Sequence, residues 1–212
     1  RGAGAVMKEA EEILQEMEQY AAAHRVPIIN AGGRRVFVEL IEQYRPKRIL
    51  EIGTAIGYSA LLTLSHTRPD AQLTSLELSE ERWRTAQAFL KTCACAARVQ
   101  LLQGDAEELL EALAMQQVQP FDFVFIDAAK GQYPVYFSKV QPLLAPDGVI
   151  LADNVLFRGY VQSDAKPPRR YRTIVKRLRM YLRLVQAPPF QTEIFAKGDG
   201  LALTRRIYEE ET

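Results

Sequence analysis

The chain has 212 residues, 48% of them hydrophobic and 25% charged, which suits one α/β domain with a full-sized core. No apolar run approaches the roughly 18 residues of a membrane span, and the first residues lack the basic, apolar and small-residue succession of a secretory signal. A cytoplasmic protein with no membrane partner is expected. Net charge is +1, but Arg158–Arg183 carries nine basic residues against the single acid Asp164, a net +8 that leaves −7 on the rest. Such a local positive field suits an anionic partner. Its plainer reading is a solvated helix face, since Lys176, Arg179 and Arg183 fall at helical spacing.

In chain order, residues 1–6 read as a leftover or disordered leader, and the domain follows as a single unit. Residues 7–24 place Met7, Ile13, Met17 and Tyr20 at roughly helical spacing. Pro27 interrupts, and a second helix runs from about Gly32 to Tyr44. Beyond Pro46, short apolar runs alternate with amphipathic segments. RILEIG (48–53) precedes a helix from about Tyr58, LTSLEL (73–78) one capped by Ser79, and VQLLQG (99–104) one from Asp105. Cys93 and Cys95 fall on helix in this reading, turned to different faces, with neither an intrachain disulfide nor a zinc site expected. FDFVFID (121–127) precedes a helix from about Tyr133, and GVILAD (148–153) closes the series. FQTEIFA (190–196), the turn KGDG (197–200) and LALTRRI (201–207) read as a hairpin. The result is a doubly wound, mostly parallel sheet with a C-terminal antiparallel hairpin and two extra N-terminal helices.

The motifs stand at strand C-termini, where open α/β sheets bind ligands. The first strand ends in Glu51-Ile52-Gly53-Thr54-Ala55-Ile56-Gly57. This E-x-G-x-x-x-G lacks the middle glycine of a dinucleotide fingerprint and carries an acid, which disfavours a phosphate but suits the cationic amino-acid part of S-adenosylmethionine. Glu77 ends the second strand, where a carboxylate can accept both ribose hydroxyls. Gly104-Asp105-Ala106 puts a carboxylate and a small residue where an adenine would lie. Taken alone, the glycine loop also reads as a plain turn, and Glu77 and Asp105 as charges at helix N-termini. Strands four and five, expected beside strand one, end in Asp127 and in Asp153-Asn154. Two carboxylates and an amide oxygen form a hard, oxygen-only set suited to Mg2+ or Mn2+. Lys130, three residues past Asp127, stands where it could take a proton from a substrate hydroxyl. The bland alternative is an Asx turn at Asp153-Asn154 and a solvated charge at Lys130.

ILEIGTAIGYSALL (49–62), FVFIDAAKGQY (123–133) and GVILADNVLFRG (148–159) together resemble the cation-dependent O-methyltransferases, the family that includes catechol and caffeoyl-CoA methyltransferases. The likeness runs from about Glu16 to Arg206. It implies a Rossmann-like class I methyltransferase fold, a homodimer and metal ligands at Asp127, Asp153 and Asn154. It further implies a base at Lys130 and cofactor contacts around Ile29, Glu51, Gly53, Ser59, Glu77, Ala106 and Asp127. Within the family, MEQYAAAHRVPI (17–28), DAAKGQY (127–133), DNVLFRG (153–159) and GDGLALTRR (198–206) are most similar to bacterial tRNA 5-hydroxyuridine methyltransferases. Asn30-Ala31-Gly32 departs from an acid-containing stretch of many relatives. This resemblance implies the tRNA anticodon region as partner. A 5-hydroxyl beside a 4-carbonyl could chelate one metal as a catechol does, and the +8 segment follows directly on Asn154. Candidate RNA contacts are Arg158, Lys166, Arg169, Arg170 and Arg172, with Arg34 and Arg35 near the expected pocket mouth. Tyr133 and Tyr160 either stack on bases or simply pack. A small catechol-like phenol is the alternative substrate.

Overall fold

The computed structural model describes residues 8–208; the leader read at 1–6 lies outside them. Two helices, α1 (Ala10–His24) and α2 (Ala31–Tyr44), precede the alternating series β1 (Arg48–Ile52), α3 (Tyr58–His66), β2 (Gln72–Glu77), α4 (Glu80–Leu90), β3 (Val99–Gln103), α5 (Ala106–Met115), β4 (Phe121–Ile126), α6 (Tyr133–Val140) and β5 (Leu144–Asp153). Helix α7 (Arg172–Gln186) leads into the hairpin β6 (Phe190–Phe195) and β7 (Leu201–Arg206). Helix starts follow their caps: the Asn30 side chain accepts from Gly33 N–H, Ser79 from Arg82 N–H, and Asp105 from Glu107 and Glu108 N–H.

All seven strands form one sheet in the order β3-β2-β1-β4-β5-β7-β6. β1 to β5 are parallel, and β7 runs antiparallel to both β5 and β6. β4 lies beside β1 as expected, whereas β5 is one strand further out, between β4 and β7. The chain winds from β1 outward to β3, then returns to β4 and winds the other way. The crevice between the C-terminal ends of β1 and β4 is therefore the topological switch point.

Strand period two sorts the core into two layers. Ile49, Leu73, Phe123, Phe125, Val149, Leu151 and Leu203 face α1, α2 and α3. Leu50, Ile52, Leu76, Val124, Ile126, Ile150 and Ala152 face α5, α6 and α7. The apolar residues of α1 (Ile13, Leu14, Met17, Ala21) pack into the first layer.

One expectation is overturned. Helix α4 ends at Leu90, and Cys93 and Cys95 fall in the irregular turn after it, where their sulfurs are joined in a disulfide across Cα atoms 5.0 Å apart. The helical spacing that would separate them does not apply outside the helix.

Candidate active site

The same alternation builds the site. Glu51, Glu77, Asp127 and Asp153 occupy positions of one parity at the C-terminal ends of β1, β2, β4 and β5, so all four carboxylates belong to the face that packs on α1 to α3. Asp127 and Asp153 come one step beyond the paired Ile126 and Ala152 on adjacent strands. Gly53 lets the loop after β1 close in on the end of β4. It sits at φ +98°, and a Cβ there would run into the Asp127 carbonyl oxygen. Gly57, also at positive φ, starts α3 against Leu90 of α4.

A cavity of about 450 Å³ opens at the switch point, a volume typical of small-molecule sites. Of the residues singled out from sequence, Ile29, Gly53, Glu77, Asp105, Ala106, Asp127, Lys130, Asp153 and Asn154 all line it. Glu77 is 7% exposed, and its two oxygens accept Ala55 N–H at 2.8 Å and Ser79 N–H at 3.0 Å. These bonds tie the glycine loop to β2 and leave further lone pairs for a ligand. Asp105 uses one oxygen as the α5 cap, so the helix-terminal reading of that residue also holds.

Glu51 does not line the cavity. It is 1% exposed and sits behind the loop, accepting hydrogen bonds from Ser59 and from Ser75, its cross-strand partner, while Thr54 bonds Ser75 in turn. Burial first, and then the charges of Asp127 and Glu77, push its carboxyl up to about 7 against the two serine bonds. Ser59 lines a small recess beside the cavity, with Ile29, Gly53 and Asp127.

At the far end, Lys130 Nζ lies 3.5 Å from Asp127 Oδ1 and donates to Ala128 O at 3.3 Å. Asp153 is 6% exposed, accepts Asn154 N–H at 2.7 Å, and is pushed up to about 7 by burial and then by Asp127. Two acids this close in a partly buried place disfavour their joint ionisation unless positive charge arrives. Among the described residues no three His, Cys, Asp or Glu side chains gather as a metal-binding group; the available set here is two carboxylates and one amide. That donor chemistry fits a hard divalent cation.

Both tyrosines take the packing alternative, and one support of this end, Asp199, was missed by sequence reading. Tyr133 is fully buried and donates to the Asp153 carbonyl at 2.8 Å, so it packs behind the strand end and cannot stack on a base. Tyr160 packs against Phe157 and Tyr171. Asp199, read only as part of a turn, accepts from Asn154 Nδ2 at 3.3 Å and from Arg158 N–H at 2.6 Å. Its signal was an acid flanked by two glycines at a hairpin tip, but the partner loop is more than 40 residues away.

The basic candidates divide. Arg34 is engaged by Glu18 and by Tyr58 Oη at 2.7 Å, and Arg35 by Glu39 at 3.0 Å. Both line a separate groove of about 460 Å³ and do not line the cavity. Arg179 is not part of a solvated face: its guanidinium donates to the carbonyls of Val161 (3.0 Å), Tyr160 (3.1 Å) and Ser163 (2.7 Å), pinning the loop after β5 onto α7. Arg158 and Arg170 lie over the Tyr171 ring at 5.3 and 4.6 Å. Arg158, Lys166, Arg169, Arg170, Arg172, Lys176, Arg177 and Arg183 are exposed, and among the described residues none has an acidic partner within 4.0 Å. No helix of the described residues is long and apolar enough to cross a membrane.

A family model described as O-methyltransferase matches residues 5–207. Caffeoyl-CoA O-methyltransferase of Populus kitakamiensis is 28% identical over 176 residues, covering 79% of this chain and 73% of that protein. The O-methyltransferase of Bacillus cereus in complex with SAH superposes with a TM-score of 0.82 at 26% identity, over 92% of this chain and 90% of that one. TomG of Streptomyces achromogenes, an O-methyltransferase involved in tomaymycin synthesis and bound to SAM, gives 0.81 at 26% identity, over 93% and 90%. With nearly its whole length matched, and a cavity formed where its sheet reverses direction, the chain belongs to the O-methyltransferase family.

Proposed function

We propose that the chain transfers a methyl group from S-adenosylmethionine to a hydroxyl oxygen with the help of a divalent cation, and that the hydroxyl is the 5-hydroxyl of wobble 5-hydroxyuridine in tRNA. When bound, the cofactor supplies the methyl group, and Mg2+ or Mn2+ supplies the charge that acidifies and orients the accepting oxygen. The chain's own residues do the rest. Glu77 offers its remaining lone pairs to the ribose hydroxyls, and Ile29, Gly53 and Ala106 wall the nucleoside. Glu51 fixes Ser59 behind the loop. Asp127, Asp153 and the Asn154 amide oxygen hold the cation. Lys130 would take the proton of the accepting hydroxyl, so that the oxygen is free to receive the methyl group that the bound cofactor would supply.

One observation carries the tRNA reading: eight exposed cations without acidic partners follow directly on Asn154. A polyanion passing the cavity mouth would neutralise them, with Arg158 and Arg170 backed by Tyr171. A homodimer belongs to this reading through the family resemblance; a sedimentation coefficient of monomer alone at micromolar concentration would remove it. The names of the curated relatives favour a second reading, a small phenol bearing vicinal oxygens. The test is mass spectrometry of nucleosides from hydroxyuridine-bearing tRNA incubated with protein, S-adenosylmethionine and Mg2+. Conversion of 5-hydroxyuridine to 5-methoxyuridine is expected, suppressed by salt and by charge reversal at Arg169 and Arg170. Fast methylation of a free catechol with tRNA inert at low salt would replace this substrate with the phenol.

A further inference from the structure

The turn between β6 and β7 is fastened to the loop that carries Asn154. Val155 N–H donates to Gly200 O at 3.2 Å, and Leu156 N–H to Asp199 O at 3.1 Å. Gly200, at φ +86°, lets the turn approach closely, since a Cβ there would overlap the Leu156 side chain. The loop itself is held in unusual backbone: Asn154, Phe157 and Arg158 all lie at positive φ, at +59°, +39° and +56°. Asp199 completes the clamp with its side chain. One oxygen takes Arg158 N–H, and the other takes the Asn154 amide.

A carboxylate can only accept, so it must receive the NH2 end of Asn154. That choice leaves the amide oxygen, not its nitrogen, for the cavity that Asn154 lines. We propose that Asp199 is a positioning residue, which decides that Asn154 presents an oxygen to a cation; this rests on the Asp127/Asp153/Asn154 reading above. An amide at position 199 could not serve both partners in the present arrangement. Its oxygen can accept from Arg158 N–H only if its NH2 faces Asn154, which must then turn its own oxygen away from the cavity. Exchanging the two side chains restores every bond. The carboxylate moved to position 154 accepts from the NH2 of the amide moved to position 199. The oxygen of that amide accepts from Arg158 N–H, and the second carboxylate oxygen meets the cation.

The experiment is titration of the full chain with Mn2+ alone, read by electron paramagnetic resonance of the free ion, with folding followed by circular dichroism. Asp199→Asn is expected to bind Mn2+ about 10- to 100-fold more weakly than the unmodified protein. The exchanged pair Asn154→Asp/Asp199→Asn is expected to recover binding to within about threefold. Asn154→Asp alone controls for the added carboxylate. A role confined to anchoring the turn predicts that it changes Mn2+ binding by the same factor beside Asp199 as in the Asp199→Asn background. The positioning role predicts a gain in the Asp199→Asn background alone, since carboxylates at both 154 and 199 would face each other. Undiminished Mn2+ binding by Asp199→Asn, or a folded exchanged pair that stays as weak as the single variant, overturns the inference while leaving the cation site standing. Absence of Mn2+ binding in the unmodified protein removes the cation reading, and this inference with it.

Discussion

Replacing Glu51 by Gln tests how the β1 acid is held. In the folded chain its carboxyl ionises at about 7 and not at its ordinary 4.5, because burial opposes the charge more than Ser59 and Ser75 favour it. The folded state therefore keeps a proton between these values that the unfolded chain has released. Stability contributed by the protonated group is fully present below about pH 4.5 and is lost as pH rises through about 7. At about 1.4 kcal/mol per pH unit, the interval amounts to about 3 kcal/mol. Glutamine preserves the shape and stays neutral, so Glu51→Gln should be free of this loss. Asp153, pushed up to about 7 as well, is common to both proteins and drops out of the difference. Urea denaturation of both proteins at pH 5, 6, 7 and 8 should show the stability of the unmodified chain, minus that of Glu51→Gln, falling by about 3 kcal/mol. A difference that stays flat, or that rises with pH, would mean that Glu51 is ionised in the fold, and the account of its burial would be wrong.

Gly53→Ala should reduce stability by on the order of 3 kcal/mol or more, measured by denaturant unfolding, since it meets both an unfavourable φ and the Asp127 carbonyl. Arg179→Ala should lower stability by about 2–3 kcal/mol by stranding three loop carbonyls, while Lys176→Ala and Arg183→Ala stay within about 0.5 kcal/mol, all by thermal melts. Lys130→Ala should reduce the rate of methyl transfer by about 100- to 10,000-fold in single-turnover assays, with cofactor affinity largely kept.

Strand ends were legible in the sequence because each apolar run stops at a polar residue of the right kind: Ile126 at Asp127, Ala152 at Asp153, Leu76 at Glu77. Period two even fixes their common face, and the cavity gathers nine of the candidates. What the sequence did not disclose were contacts set by distant packing. Glu51 carries the right parity but points into the α3 layer, where Ser59 and Ser75 meet it, so it supports the loop from behind. Asp199 looked like turn chemistry because nothing local says that the hairpin tip docks on Asn154. Arg179 looked solvated because helical spacing reports a face and not what lies over it; the loop at 160–163 does. The cysteines were misjudged by extending α4 past Leu90.

The requirement proposed for methyl transfer is a cation held by Asp127, Asp153 and Asn154. It is tested most directly by measuring S-adenosylhomocysteine formed from S-adenosylmethionine with hydroxyuridine-bearing tRNA, and in parallel with a catechol, after chelation and again after Mg2+ is restored. No product is expected under chelator, full recovery with Mg2+, and no recovery when Asp153 is replaced by Ala. Undiminished turnover under chelator, or in Asp153→Ala, would contradict it.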